Sequence, residues 1–474
     1  MIRKWLAGFC CLCCLLACKK GEVLPNLPPE TSVFLDTIAL DGQNRLNSVV
    51  TLHWNGEDQD GIVQQYEFSF DGLSWFSTQK RDSTFRLNLP AGADSSDVIF
   101  QVRAIDNFNL ADPTPARLRI PIRNTAPVVA FNTSVYPQDT IYPVLTLNFS
   151  ASDPDGNETI DSVFVKINNG DWFWLDRSVQ LVTFIPVDPA NAGTGNALVY
   201  TSTSTNPLSR QINGLSVEGQ NQVFVKVKDQ GGLFSEPDSS KVIFLKRKQS
   251  DLLVIDTWRN TPRAADVYLP ILNSVYGSFD YIDFATPANR PAFFNPTLRL
   301  LFNLHKEVFW YSPGDSASVS QFDLAESILQ NFLNNGNKLL IACNPSKNIS
   351  AQSSLFRVTP MDSLTTSKDA SMLSSASLVP DPTQSIYPVL KSSGPGLITG
   401  INPFYAKTSA QILYRAELVQ ANGQPWQDST IVAAKLTNGS GRTNMVYVGM
   451  ALHRLNGNTN LESFFQKIKS EFTW

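Results

Sequence analysis

One sequence pattern occurs twice in the N-terminal half of the chain and limits the folds open to it. Apolar and polar residues alternate over 51–55, an Asp-x-Asp-Gly turn follows at 58–61, and the alternation resumes over 62–70. The same order occurs over 146–167, with the turn at 153–156. Alternation with period two, interrupted by turn residues, is typical of half-buried β-strands. The chain therefore contains two related β units.

Later strands repeat as well, since residues 98–106 match residues 222–229 in pattern. Several short strands separated by regular turns predict β-sandwiches. The stretch 102–113 resembles the late strands of fibronectin type III and other immunoglobulin-like domains. This resemblance implies two such sandwiches, over 31–124 and 125–248.

The second β unit is longer than the first. It carries about 30 extra residues near 177–211, rich in Thr, Ser, Asn and Gly. Such a composition predicts a long surface loop or hairpin.

After the polar segment 246–250, apolar strands alternate with helices. One helix is predicted from Ser320 to a terminating Gly336, and a last helix begins at a capping box of Thr459 and Glu462. Strand–helix alternation predicts a parallel, doubly wound α/β domain over 249–474. The predicted strands are 252–255, 281–284, 308–311, 338–342 and 445–448.

Two stretches of this region resemble class I glutamine amidotransferase-like domains, which have a flavodoxin-like fold. In 332–343 a helix ends near Gly336 and an apolar strand leads to Cys343, and 447–453 ends at His453. The resemblance implies that Cys343 occupies the nucleophile position and His453 the base position.

The sequence departs from that family at the site itself. Glycines flank the nucleophile in the active enzymes, whereas Ala342 and Asn344 flank it here, and the family's acid two residues after the histidine is Leu455. We therefore expect a non-catalytic relative, with Cys343 as a small core side chain and His453 as a hydrogen-bonded histidine at a strand end. The alternative is a cysteine-dependent hydrolase or amidotransferase using this pair.

The N-terminus predicts export. A short basic start precedes an apolar run over 5–17, which is shorter than the about 20 residues needed to span a bilayer. The run ends Leu-Leu-Ala-Cys18, which resembles the bacterial lipobox and implies that residues 1–17 are a lipoprotein signal peptide and that Cys18 carries lipid, including palmitate. An ordinary cleaved signal peptide is the alternative.

The residues after Cys18 predict where the protein is held. The Pro-rich segment 18–30 predicts a tether, and the lack of Asp after Cys18 implies the outer membrane, on a face that the sequence leaves open. Removing residues 1–17 shifts the net charge from −4 to −6, which argues against nucleic acid as a partner. Only Cys18 and Cys343 then remain, so no structural disulfide is expected.

The Asp-x-Asp-Gly turns are candidate calcium ligands. Calcium takes six to eight oxygen ligands, more than two carboxylates and a turn carbonyl supply. We therefore favour plain turns and expect no cofactor apart from the lipid. The candidate ligands are Asp58, Asp60, Asp153 and Asp155, with Glu57, Asp106, Glu158 and Asp229 as neighbours that could join them.

The cluster Trp172-Phe173-Trp174, with Trp54 and Trp75 in the first unit, predicts either sandwich core or a stacking platform for sugars, and we favour core. The three histidines are too scattered for a zinc site. We therefore expect a cell-envelope binding or scaffold lipoprotein, in which the sandwiches form a stalk that presents the α/β domain to an envelope protein or a glycan.

Overall fold

The computed structural model describes most of the chain, over residues 25–35, 45–90, 93–367, 369–394 and 396–472. The predicted signal peptide, Cys18 and the first part of the tether lie outside the described residues. Two compact units are present. The first contains the chain up to residue 128 with 152–161 and 228–235, and the second contains 129–151, 162–227 and 236–474.

The first β unit folds into two antiparallel sheets, ordered β1-β2-β5 and β4-β3-β6-β7. The Asp-x-Asp-Gly turn at 58–61 connects the second and third strands of the chain, as the sequence pattern predicts. The strands are β1 (Glu30–Leu35), β2 (Val49–Glu57), β3 (Val63–Ser69), β4 (Phe76–Thr78), β5 (Asp82–Arg86), β6 (Ser95–Asp106) and β7 (Ala116–Arg123).

Trp54 of β2 lies at the centre of the core between these sheets, with only 1% of its surface exposed. Its ring lies 6.2 Å from Phe68 and 5.8 Å from Phe100, measured between ring centroids. The indole N–H donates to the carbonyl of Lys80 at 2.9 Å. A buried tryptophan whose N–H has an acceptor contributes its full apolar area without a desolvation cost.

The second β unit forms three sheets, ordered β15-β14-β13-β10-β8, β12-β11-β17-β18 and β16-β19-β9. Its strands are β8 (Val128–Phe131), β9 (Thr140–Ile141), β10 (Leu145–Ser152), β11 (Ile160–Ile167), β12 (Phe173–Asp176), β13 (Leu181–Pro186), β14 (Gly193–Thr201), β15 (Ile212–Val217), β16 (Gly219–Asn221), β17 (Val223–Asp229), β18 (Asp238–Ser239) and β19 (Ile243–Leu245).

The extra segment of the second unit is part of a sheet. Strand β13 pairs with β10, just as β5 pairs with β2 in the first unit. Strands β14 and β15 then add to that sheet as antiparallel neighbours. The insertion near 177–211 is therefore a hairpin that widens one sheet, which is the second of the two forms expected from its composition.

The C-terminal region contains a nine-stranded sheet, ordered β21-β20-β22-β23-β32-β31-β30-β26-β27. The first five strands of that order are parallel and the remaining four are antiparallel. Two further two-stranded sheets pair β24 with β29 and β25 with β28. The strands of the whole region are β20 (Leu252–Asp256), β21 (Asp280–Asp283), β22 (Glu307–Ser312), β23 (Lys338–Cys343), β24 (Met361–Leu364), β25 (Ala370–Met372), β26 (Ser377–Pro380), β27 (Leu390–Lys391), β28 (Ile398–Ile401), β29 (Phe404–Ala406), β30 (Gln411–Ala416), β31 (Ile431–Thr437) and β32 (Thr443–Val448).

Helices cover both faces of this sheet, because the parallel strands are apolar on both sides. In β20, Leu252 and Val254 pack on the face that carries the first and last helices, whereas Leu253 and Ile255 pack on the other face. The helices are α1 (Ala265–Tyr276), α2 (Arg299–Asn303), α3 (Ser316–Leu324), α4 (Glu326–Asn334), α5 (Ser354–Val358) and α6 (Leu461–Phe472).

Two details of the predicted helices are wrong. The helix predicted from Ser320 is two helices broken at Ala325, and the first begins earlier, where the Asp315 carboxylate accepts the N–H of Ser318 at 2.8 Å. The last helix has no Thr459 capping box, because Thr459 has a φ of 59° and lies before the helix. The predicted stop at Gly336 is confirmed by its φ of 84°.

The second sandwich and the α/β region share one core within the second unit. Val144, Ile185 and Tyr200 of the sandwich belong to the same apolar cluster as Leu298 and Leu301. The hydroxyl of Tyr142 also accepts the N–H of Tyr281 at 2.8 Å. The second sandwich and the α/β region therefore pack against each other within the second unit.

Candidate functional site at the carboxyl ends of the parallel strands

The loops that follow four parallel strands meet at one edge of the sheet, where ligands of open α/β sheets are usually bound. Trp258 follows β20, Pro313 follows β22, Asn344 follows β23 and His453 follows β32. These four side chains line one cavity of about 230 Å³. The topology thus brings together residues that are almost 200 positions apart in sequence.

A second cavity of about 260 Å³ adjoins the first. Four residues line both, namely Pro262, Ile398, His453 and Arg454. The two cavities are therefore parts of one space, which we call the carboxyl-edge cleft. Its combined size is that of a small-molecule site.

His453 lies in the wall of the carboxyl-edge cleft with only 3% of its surface exposed. Its ring packs edge-on against Trp258, 4.4 Å between centroids, and against Tyr268 of α1 at 5.8 Å. The backbone N–H of His453 donates to the Tyr268 hydroxyl at 2.8 Å. Two aromatic rings and one hydrogen bond thus fix the position of the imidazole.

Neither ring nitrogen of His453 has a hydrogen-bond partner among the described residues. The expectation of a hydrogen-bonded histidine was therefore wrong. Burial and the positive charge of Arg454 lower the pKa of His453 to about 4. The imidazole is thus neutral at pH 7, with one donor and one acceptor nitrogen, both buried beside the cleft without a partner.

Cys343 lies on the other face of the sheet, fully buried in the apolar cluster that contains Trp310 and Ile341. Burial raises the pKa of its thiol to about 12. The structure does not bring this thiol and the His453 ring into hydrogen-bond contact. The position expected for an acid partner holds Leu455, which is itself buried.

Asp256 at the end of β20 shapes the cleft and was not identified from the sequence. Its carboxylate accepts the N–H of Trp258 at 2.7 Å and the hydroxyl of Tyr281 at 2.8 Å. Burial raises the pKa of this carboxyl group. The only sequence signal was an acid at the end of an apolar strand, followed by a tryptophan.

The first Asp-x-Asp-Gly turn is a hydrogen-bonded turn. The carboxylate of Asp58 accepts the N–H of Asp60 at 3.4 Å, and the carboxylate of Asp60 accepts the N–H of Leu27 at 3.1 Å. The side-chain amide of Asn26 donates to the carboxylate of Asp106. The end of the predicted tether therefore lies against the loops of the first sandwich.

The second turn is buried, and protein donors reach three of its four carboxylate oxygens, whereas Oδ2 of Asp153 has no partner among the described residues. Asp155 accepts the hydroxyl of Ser48 and, at 2.6 Å, the N–H of Thr125, while Asp153 accepts the N–H of Asp155 at 2.8 Å. Burial raises the pKa of Asp153. Within the described ranges, no three His, Cys, Asp or Glu side chains are grouped as metal ligands.

The aromatic residues divide between the core and the outer surface. Trp54 and Phe173 are buried, as the core interpretation predicts, but that interpretation is wrong for Trp174, which is 47% exposed. On the outer face of the sheet, the ammonium of Lys226 lies 4.4 Å from the Trp172 ring, and the guanidinium of Arg210 lies 5.9 Å from the Trp174 ring. Cations thus occupy positions over both rings.

The other two histidines make contacts that stabilise the fold. His305 is buried, with hydrogen bonds to Asp280 at 2.8 Å and to the carbonyl of Leu301 at 2.9 Å. His53 stacks on Phe34. In the part of the chain that the structure describes, no helix has the length and apolarity needed to cross a membrane.

Comparison with known proteins finds similarity among solved structures alone. No protein-family model and no curated protein matches the chain. The fibronectin(III)-like modules of Clostridium thermocellum CbhA are 16% identical, over 45% of this chain and 94% of theirs, with a TM-score of 0.18.

Other neighbours are β-domains as well. A two-domain fibronectin type III segment of chicken tenascin is 13% identical, over 46% of this chain and 98% of that one, with a TM-score of 0.20. The PKD1 domain of Vibrio anguillarum Epp is 13% identical, over 21% of this chain and 99% of that one, with a TM-score of 0.16. The similar structures thus include several fibronectin type III segments, and at these scores they carry no argument about function.

Proposed function

We propose that this chain is a lipid-anchored binding or scaffold lipoprotein of the bacterial outer membrane. In this proposal two fibronectin type III-like, immunoglobulin-like sandwiches form a stalk that presents a C-terminal α/β domain to ligands or envelope partners. The observation that supports the binding assignment is the contrast between a fully buried Cys343 and His453, which lines the carboxyl-edge cleft and whose buried ring nitrogens have no partner among the described residues.

The α/β region is proposed to be a flavodoxin-like, glutamine amidotransferase-like domain without catalytic activity. Its parallel strands follow the order 2-1-3-4-5 found in flavodoxin-like sheets. A cysteine nucleophile needs a nearby base and an accessible thiolate. Cys343 has neither, so the geometry favours binding over the alternative of a cysteine-dependent hydrolase or amidotransferase.

Thiol labelling tests the absence of nucleophilic chemistry. In the processed protein, with Cys18 carrying lipid, Cys343 is the only free thiol. We expect an iodoacetamide-type reagent to label it only after addition of denaturant. Rapid labelling of the folded protein would support the enzyme alternative.

Metabolic labelling with radioactive palmitate tests the anchor. We expect the label on the wild-type chain in the outer-membrane fraction and its loss from Cys18→Ser. Cys343→Ser is the matched control, since it removes the other cysteine of the mature chain and should keep both label and location. Release of unlabelled wild-type protein into the periplasm would instead indicate an ordinary cleaved signal peptide.

A further inference from the structure

The charge that lines the carboxyl-edge cleft is of one sign, positive. Arg454 is the only charged side chain among the described residues that line its two cavities, and no Asp or Glu lines either. Arg454 is exposed, and its guanidinium has no ion pair or hydrogen bond with the described residues. An unpaired cation at the entrance of a cleft without carboxylates favours an anionic ligand.

The wall of the cleft offers both kinds of hydrogen-bonding group. The neutral ring of His453 supplies one donor and one acceptor, both without partners. Asn344 donates through its amide nitrogen to the carbonyl of Gly400 at 3.0 Å, and its side-chain oxygen is buried without a partner. Buried polar atoms without partners cost stability until a ligand satisfies them. Hydroxyl groups meet all these needs because each one both donates and accepts.

The shape of the cleft limits the size of the ligand. Trp258 stands at its side, held by the Asp256 carboxylate and by a hydrogen bond from its indole N–H to the carbonyl of Pro262 at 3.2 Å. The two adjoining cavities measure about 230 and 260 Å³. Such a space accepts a molecule about the size of one substituted sugar, and an aromatic wall suits the apolar face of a sugar ring.

We propose that the carboxyl-edge cleft binds a small hydroxylated anion, of the class of sugar phosphates and sugar acids. Arg454 pairs with the anionic group, and His453 and Asn344 bind the hydroxyl groups. This proposal rests on the binding function proposed above and adds the site and the ligand class.

Isothermal titration calorimetry on the full chain, purified in detergent micelles, tests the proposal. The probes are glucose 6-phosphate and gluconate, with glucose and inorganic phosphate as partial ligands. We expect at least one of the two hydroxylated anions to bind at least about tenfold more tightly than either partial ligand. Binding of glucose 6-phosphate alone would assign the phosphate source, and binding of gluconate alone the carboxylate source.

Two variants assign the binding to this cleft. Arg454→Gln should weaken binding at least about tenfold while its thermal unfolding midpoint stays unchanged. Arg442→Gln is the matched control, since it removes another exposed arginine, which precedes β32 and so lies at the opposite edge of the sheet.

The proposal would be overturned by the absence of binding for both hydroxylated anions, by equal binding of inorganic phosphate, or by full affinity in Arg454→Gln. None of these outcomes depends on palmitate labelling or on the accessibility of Cys343. Failure of this proposal is therefore distinguishable from failure of the proposed lipoprotein function.

Discussion

At the carboxyl edge of the C-terminal sheet, the two faces differ in how closely their side chains are packed. On one face, Cys343 at the end of β23 is enclosed by apolar side chains and has no exposed surface. On the other, His453 after β32 lies beside Trp258 and borders the carboxyl-edge cleft. The comparison teaches that a sheet can separate a cysteine and a histidine at neighbouring strand ends, so their sequence positions alone do not predict a catalytic pair.

The largest expected change in stability concerns the face of the sheet that contains Cys343. Cys343→Asp should lower the free energy of unfolding by about 4 kcal/mol, because it places a carboxyl group in an apolar cluster where a hydrogen bond with Ser312 cannot replace its hydration. Cys343→Ala is the control and should cost about 1 kcal/mol. Urea unfolding measures both. A tolerated aspartate would show that this face is open to water.

The next largest change in stability concerns the face that contains His453, and it depends on pH. The folded-state pKa of His453 is about 4, below the ordinary value of 6.5. Between these values the unfolded chain binds more protons, so stability is lost as the pH falls from above 6.5 to below 4. The shift corresponds to about 3 kcal/mol.

His453→Leu isolates this contribution from the other titrating groups. The difference in unfolding free energy between wild type and variant should change in favour of the variant as the pH falls across this window. Chemical unfolding at a series of pH values measures it. A difference independent of pH would contradict the burial of a neutral imidazole.

At pH 8 the same substitution should change the free energy of unfolding by a smaller amount, and it should stabilise the protein rather than destabilise it. His453→Leu should raise the unfolding free energy by about 1–2 kcal/mol, because it removes two buried nitrogens without partners. A loss of stability at pH 8 would show that the imidazole has hydrogen-bond partners in the protein. The polar groups beside the cleft would then be as fully hydrogen-bonded as those on the face that contains Cys343.

The smallest expected effect concerns the hydroxyl that fixes the turn containing His453. Tyr268→Phe keeps the ring packing and removes the acceptor of the His453 N–H, so unfolding should become easier by about 1 kcal/mol. Thermal unfolding combined with the calorimetric titration separates loss of stability from loss of binding. If neither the unfolding midpoint nor the ligand affinity changes, the Tyr268 hydroxyl does not hold His453 in place.

The sequence was sufficient for the elements whose pattern is local. The five parallel strands are short apolar runs, and the burial of Cys343 follows from its apolar neighbours in β23. The strands between β23 and β32 were not predicted. Most of them have only two to four residues, but the seven-residue β31, which begins with an apolar run, was missed as well. The break at Ala325 was missed because the apolar face of the predicted helix continues across it.

The cleft is not a local property and could not be predicted in full. His453 was singled out, but the absence of partners for its ring depends on Trp258 and Tyr268, which are almost 200 residues away in sequence. Arg454 had no motif to mark it. The sequence therefore predicted the sheet that positions the site, whereas tertiary packing determines which of its side chains meet.

A direct test of the central claim is an NMR titration of the histidine rings in the full chain. There are only three histidines, and His453→Leu assigns the signal of interest. The account predicts that the ring of His453 titrates with a pKa near 4 and that Cys343→Ala leaves this pKa unchanged. A pKa above 7 that falls in Cys343→Ala would reveal a thiolate–imidazolium pair and would contradict the assignment of a binding domain.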